Sequence, residues 1–124
     1  DLSRREALIE AFRAIEKYEQ DLCLRMLEGL GGIEGIEVWG ITEPSRISER
    51  APTVSFTHPS MSAKEIGERL AERGIFVWAG NFYALELTEA LELEPEGVLR
   101  VGVLHYNSIE EVDFFVKSVA EILE

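Results

Sequence analysis

Three serines, Ser3, Ser62 and Ser108, each stand three residues ahead of a glutamate: Glu6, Glu65 and Glu111. A serine at a helix N-cap accepts a hydrogen bond from the backbone N–H three residues on. A glutamate at that position reaches back to the N–H of the cap, so the spacing marks where a helix opens. After Ser3, apolar residues recur at Leu8, Phe12, Ile15, Leu22, Met26 and Leu30, which is helical periodicity. The spacing predicts a helix over 4–30, about 40 Å long at 1.5 Å per residue, ended by Gly29 to Gly32. The second start predicts a helix that buries Ile66, Leu70 and Ala71 and stops at Gly74. The third predicts a last helix with a core stripe of Ile109, Val112, Val116, Val119 and Leu123.

Between these helices lie segments of a different period. Ile36–Ile41 (IEVWGI) and Thr53–His58 (TVSFTH) alternate and read as strands, with Thr42–Pro52 as a polar loop between them. Ile75–Ala79 (IFVWA) is a third strand and Val98–Leu104 (VLRVGVL) a fourth. The connection from Gly80 to Gly97 is long for a compact domain, with one helical turn expected around Leu87–Leu91. The order is therefore α-β-β-α-β-β-α. Amphipathic helices and period-2 strands predict an α+β two-layer fold: a small sheet of about four strands, mostly antiparallel or mixed, with helices packed on one face. Placing the fourth strand between the second and third lets neighbours run antiparallel. Residues 1–124 read as one domain, and the length of helix 1–30 is generous for it. The chain begins with Asp1 rather than Met, which predicts that it is cut from something longer.

Composition narrows the partners. Twelve basic against 24 acidic residues give a formal charge of −12, which repels nucleic-acid phosphates and anionic membranes. No apolar run approaches the roughly 20 residues that span a bilayer, so a cytoplasmic protein is expected. Cys23 is the only cysteine, which rules out an internal disulfide or a cysteine-rich zinc site. It falls beside Leu22 and Met26 and reads as a half-buried structural thiol. His58 and His105 suggest no metal pair, Tyr106 is expected to pack, and Asn107 and Ser108 to cap the last helix.

One residue breaks the apolar pattern. Arg100 lies inside the fourth strand, on the sheet face of Val98, Gly102 and Leu104, where Gly102 removes a side chain beside it. Arginine presents a planar fork that matches a carboxylate through two hydrogen bonds, which lysine cannot do. The bland alternative is an arginine paired with one of the many acids at a sheet edge. The start of the long connection gathers Asn81, Phe82 and Tyr83, which need either the core or a pocket shared with a partner domain.

From Arg50–Phe56 (RAPTVSF) through Glu65–Ala84 (EIGERLAERGIFVWAGNFYA) to Leu99–Asp113 (LRVGVLHYNSIEEVD), the sequence resembles the C-terminal small domain of class-V aminotransferases. These are fold-type-I enzymes dependent on pyridoxal phosphate (PLP), and the nearest branch is that of cysteine desulfurases and selenocysteine lyases. The motif Arg100 to Asp113 is the most specific part, because strand, arginine and helix start fall in the family's order. The resemblance implies that Arg100 binds the α-carboxylate of a small amino-acid substrate and that the Asn81–Tyr83 loop forms a pocket wall or lid. It also implies a missing N-terminal large domain that holds PLP, joined through the helix over 1–30, in a homodimeric parent. Catalytic, cofactor and metal residues are expected to be absent from this chain, since Lys17, Lys64 and Lys117 all fall on polar helical patterns, and the domain alone is expected to be inactive. The sequence departs from the desulfurase loop at Tyr83, which stands where that branch has its nucleophilic cysteine, and a phenol cannot carry sulfur as a persulfide. The rival reading, from a different class, is a free-standing acidic α/β binding or interaction module without catalysis.

Overall fold

A computed structural model describes residues 2–124. Helix α1 (Arg4–Gly31) is followed by strand β1 (Glu37–Trp39), a short 3-10 helix (Pro44–Glu49), strand β2 (Thr53–Thr57) and helix α2 (Ala63–Glu72). Strand β3 (Trp78–Gly80), helix α3 (Leu85–Ala90), strand β4 (Val98–Gly102) and helix α4 (Ile109–Leu123) complete the chain. The sheet order is β1-β2-β4-β3 and every pairing is antiparallel. The fourth strand thus lies between the second and third, the placement that lets neighbouring strands run antiparallel.

All three capping boxes form. The hydroxyls of Ser3, Ser62 and Ser108 accept from the N–H groups of Glu6, Glu65 and Glu111, and each glutamate accepts from its serine's backbone N–H. The core sits on one face of the sheet. Val54 and Phe56 of β2 and Leu99 of β4 are fully buried against Leu22, Met26 and Leu30 of α1, Ile66 and Leu70 of α2, and Val119 of α4. Phe56 meets Phe115 edge to face, with ring centroids 6.5 Å apart. Cys23 is buried completely rather than by half.

Several boundaries differ from the sequence reading, each for a local reason. Strand β1 is only three residues because Ile36 still closes a turn onto the Ile33 carbonyl and Gly40 turns away with φ +106°. The expected polar loop contains the 3-10 helix, with Pro44 in its first turn and Arg46 holding Glu49 through two hydrogen bonds. Strand β3 begins at Trp78, since the Ile75 N–H is spent on the Leu70 carbonyl and Val77 packs beside Gly67 of α2. The buried stripe of α4 is Val112, Phe115, Ser118, Val119 and Ile122, while Ile109 is half exposed. Val116 and Leu123 are partly buried against the same core. Val116 does so at α1, where a Cβ on Gly29 would come within 2.6 Å of its methyls, so the helices cross closely at that glycine. Tyr106, expected to pack, is 74% exposed.

Helix α1 also fastens the segment that follows β4. The Tyr18 hydroxyl donates to the Asn107 carbonyl at 2.8 Å, the His105 N–H donates to Glu19 at 3.0 Å, and Arg25 holds Asp113 at 2.7 and 3.2 Å. Earlier on α1, Leu8 and Phe12 are 49% and 67% exposed, so the apolar stripe runs beyond the part of the helix that packs. No helix among the described residues is long and apolar enough to cross a membrane.

The capping carboxylates give the fold a pH dependence of known sign. Hydrogen bonds from Ser3 to Glu6, from Ser62 to Glu65, and from Ser108 with Asn107 to Glu111 hold all three below the usual glutamate range. A carboxyl whose pKa is lower folded than unfolded stabilises above the unfolded value, about 4.3, and loses that contribution as pH falls through the folded one. The side-chain titrations of Glu6, Glu65 and Glu111, followed by NMR, are expected to have midpoints below those of exposed, unbonded glutamates. Urea midpoints are expected to decline below about pH 4.3. Ordinary or raised midpoints at these three residues would contradict the cap assignment.

Candidate functional site

Strand alternation determines where Arg100 goes. Leu99 pairs with Phe56 and Ala79 on the helix side, so Arg100 projects from the opposite, uncovered face. Its cross-strand neighbours there are Ser55 on β2 and Trp78 on β3, with Trp39 of β1 beyond Ser55. The Trp39 indole donates to the Thr57 hydroxyl at 3.0 Å, which anchors the far end of this face.

Arg100, Asn81, Phe82 and Tyr83 all line one open hollow of about 400 Å³, together with Trp78, Ala79 and Gly80. The space beside Arg100 therefore lies on the β3 side and not at Gly102, where Thr53 Oγ1 would stand 3.3 Å from an added Cβ. Trp78 is the lining residue that sequence reasoning missed as a site residue. Its place follows from the β3–β4 register, to which no short motif points.

The loop reaches Arg100 through an unusual backbone. Phe82 and Tyr83 have φ values of 56° and 63°, the left-handed region, which bulky residues seldom occupy. Asn81 braces the turn: its side-chain oxygen accepts from the Tyr83 N–H at 3.2 Å, and its carbonyl accepts from the Ala84 N–H at 2.8 Å. At the other end of the connection Gly97, with φ +67°, lies so close to Gly80 that an added Cβ would sit 2.3 Å from the Gly80 carbonyl carbon. That approach brings the two ends of the connection together beside Arg100. The Phe82 ring lies over the guanidinium, 3.8 Å from Cζ to the ring centroid. Tyr83 is fully exposed.

The Arg100 guanidinium has no acidic partner and no hydrogen bond among the described residues. Arg13, Arg25, Arg46 and Arg73 each pair with a carboxylate. Arg4, Arg5 and Arg69 also lack a partner among the described residues, but they are exposed on α1 and α2, whereas Arg100 stands on the sheet and lines a hollow. Arg50, by contrast, is structural and donates to the carbonyls of Ile41, Ala51 and Thr53. The lysines lie away from the hollow: Lys17 is on α1, while Lys64 and Lys117 face Glu68 and Glu121 on their own helices. Among the described residues no cluster of His, Cys, Asp and Glu could hold a metal ion. Cys23 lies on the helix side of the sheet, and burial pushes its thiol pKa up against the smaller, opposite pull of the Arg50 charge.

Comparison with known proteins gives this geometry a family. The pattern described as aminotransferase class-V matches residues 8–115. An aminotransferase-like protein of Gibberella zeae is 36% identical over 118 residues, covering 92% of this chain and 29% of that protein. The probable cysteine desulfurase 2 of Mycobacterium leprae is 31% identical over 112 residues, covering 90% of this chain and 26% of its own. Among solved structures, the apo cysteine desulfurase of Thermococcus onnurineus NA1 superposes with a TM-score of 0.76 at 30% identity, over 87% of this chain and 26% of that one. The chain thus spans little more than a quarter of the length of the relatives it matches. On the match over most of its residues and the identity to these relatives, the chain belongs to the aminotransferase class-V family.

Proposed function

We propose that this chain is the C-terminal domain of a PLP-dependent enzyme acting on a small amino acid, and that it contributes substrate-carboxylate binding and active-site closure. The observation that carries this reading is the guanidinium of Arg100, without a carboxylate partner in a chain with twice as many acidic as basic residues. It stands at the mouth of a hollow formed by a loop rather than against an acidic side chain. A free fork of this kind suits the two-pronged capture of a carboxylate. The Asn81–Tyr83 loop is then the wall that closes over the substrate once it is held. The same reading makes the parent a cytoplasmic homodimer in which a large domain, preceding this one, holds the cofactor.

The residues of this chain do not by themselves fit PLP. No lysine lines the Arg100 hollow, and Lys64 and Lys117 lie on exposed helix faces beside glutamates. PLP, bound elsewhere in the parent, supplies the electron sink for the chemistry at the amino acid. This domain orients the carboxylate and excludes water from one side. Alone it is inactive. The purified 124-residue chain, mixed with PLP and reduced with borohydride, is expected to carry only scattered, low-level adducts. Stoichiometric labelling of one lysine would contradict this.

In the full-length protein, Arg100→Ala removes a charge-assisted contact of roughly 1.5–3 kcal/mol, a fall of about 10- to 150-fold in kcat/KM for the amino acid. PLP binding, read from its visible absorbance, is expected to persist. Lysine at this position restores only part of the loss because it cannot make the forked contact. An unchanged kcat/KM in Arg100→Ala would make the arginine structural.

Sulfur relay through this domain is not expected. A persulfide needs an accessible thiolate. Tyr83 offers a phenol, and Cys23 is buried with its thiol pKa raised. Mass spectrometry of the parent after incubation with cysteine is expected to find no added sulfur on this domain, and Cys23→Ser is expected to retain activity. A substrate-dependent gain of one sulfur at Cys23, lost together with activity in the variant, would overturn the assignment.

A further inference from the structure

We propose that Phe82 is a positioning residue for Arg100: its ring fixes the plane of the guanidinium and shields one face, leaving the donor edge for a carboxylate. The inference rests on the reading of Arg100 as the carboxylate-binding residue and adds to it a second residue and a geometry.

A guanidinium carries its five N–H donors in its own plane, and its faces make no conventional hydrogen bond. An aromatic ring laid on a face therefore attracts the cation without using a donor. The Arg100 Cζ stands over the Phe82 ring, 3.8 Å from its centroid, a separation that suits such a contact, and no hydrogen bond from the guanidinium competes with it among the described residues. Arg50, the other arginine set against the sheet, spends its donors on three backbone carbonyls, whereas Arg100 keeps its donors free beside the hollow.

The backbone supports the same assignment. Two consecutive non-glycine residues, Phe82 and Tyr83, hold left-handed conformations that cost free energy. Such conformations persist where the surroundings over-determine them, and the braces here are the Asn81 side chain and the close approach of Gly97 to Gly80. The outcome of that arrangement is a half-buried Phe82 on Arg100 and a Tyr83 that touches solvent throughout. Holding the arginine in one plane before the ligand arrives lowers the ordering entropy that binding must otherwise overcome.

The test has two arms. In the 124-residue chain, the Nε–Hε resonance of Arg100 is expected to show a ring-current displacement that Phe82→Tyr keeps and Phe82→Leu reduces, leaving only what the neighbouring Trp78 indole contributes. In the full-length protein, Phe82→Leu is expected to raise KM for the amino acid about two- to fivefold, with kcat retained. Phe82→Tyr is expected to stay near the wild-type KM, whereas a purely steric role for the loop would not depend on the ring. Phe82→Met serves as a second ringless variant should Phe82→Leu fail to fold, and failure of both to fold would make Phe82 a folding residue and overturn the proposal. A ring-current displacement left unchanged by the loss of the Phe82 ring, or an unchanged KM in the ringless variants while Arg100→Ala remains impaired, would also overturn it. If Arg100→Ala itself has no effect on kcat/KM, the carboxylate reading fails, and that result is distinguishable from a failure at Phe82 alone.

Discussion

The central position of β4 between two antiparallel neighbours is the constraint on which the rest of the molecule depends. A central strand has both edges hydrogen-bonded, so its two faces are the only directions left for its side chains. On one face Leu99 joins Phe56 and Val54, and helices α1, α2 and α4 close over them. On the other face Arg100 has no layer above it, only the Asn81–Tyr83 loop folding back from β3. Burial of the leucine and presentation of the arginine are thus one event. A shift of register by a single residue would exchange them, placing a charge in the core at a cost of several kcal/mol.

The helix layer stabilises the sheet and also sets the segment that follows β4. Tyr18, Glu19 and Arg25, spaced along α1, reach Asn107, His105 and Asp113. These contacts fasten the turn from β4 into α4 at several points and join the motif that begins at Arg100 to the longest helix. Hydrogen bonds from Arg25, with a smaller contribution from its charge, hold the Asp113 carboxyl below its usual range. The exposed apolar residues at the start of α1 belong to a helix that continues past the sheet, in a chain matching little more than a quarter of each relative's length.

Much of this organisation was legible in the sequence and the remainder was not, for reasons visible at particular residues. The capping boxes located three helix starts because the cap hydrogen bonds are local, made within three residues. Alternation located β2 and β4 and put Arg100 on the face away from Leu99. The stripe of α4 holds at Val112, Val116, Val119 and Leu123, which lie in or against the core, but it fails at Ile109, which is half exposed, and it omits Ser118, which is polar yet buried. Strand β3 was placed early because Ile75–Val77 is as apolar as a strand, although its first N–H is taken by α2.

The sequence by itself therefore determined three helix starts, the two-layer class and the face of β4 that carries Arg100, all of which rest on neighbours along the chain. Tertiary structure alone decided that Trp78 stands across from Arg100, that Phe82 lies on its guanidinium, and that no carboxylate among the described residues reaches it. Those facts depend on strand register and on the meeting of Gly80 with Gly97 at the two ends of the connection. Contacts between segments distant in sequence arise only once the chain has folded, and periodicity records which face a residue occupies without recording what stands opposite it.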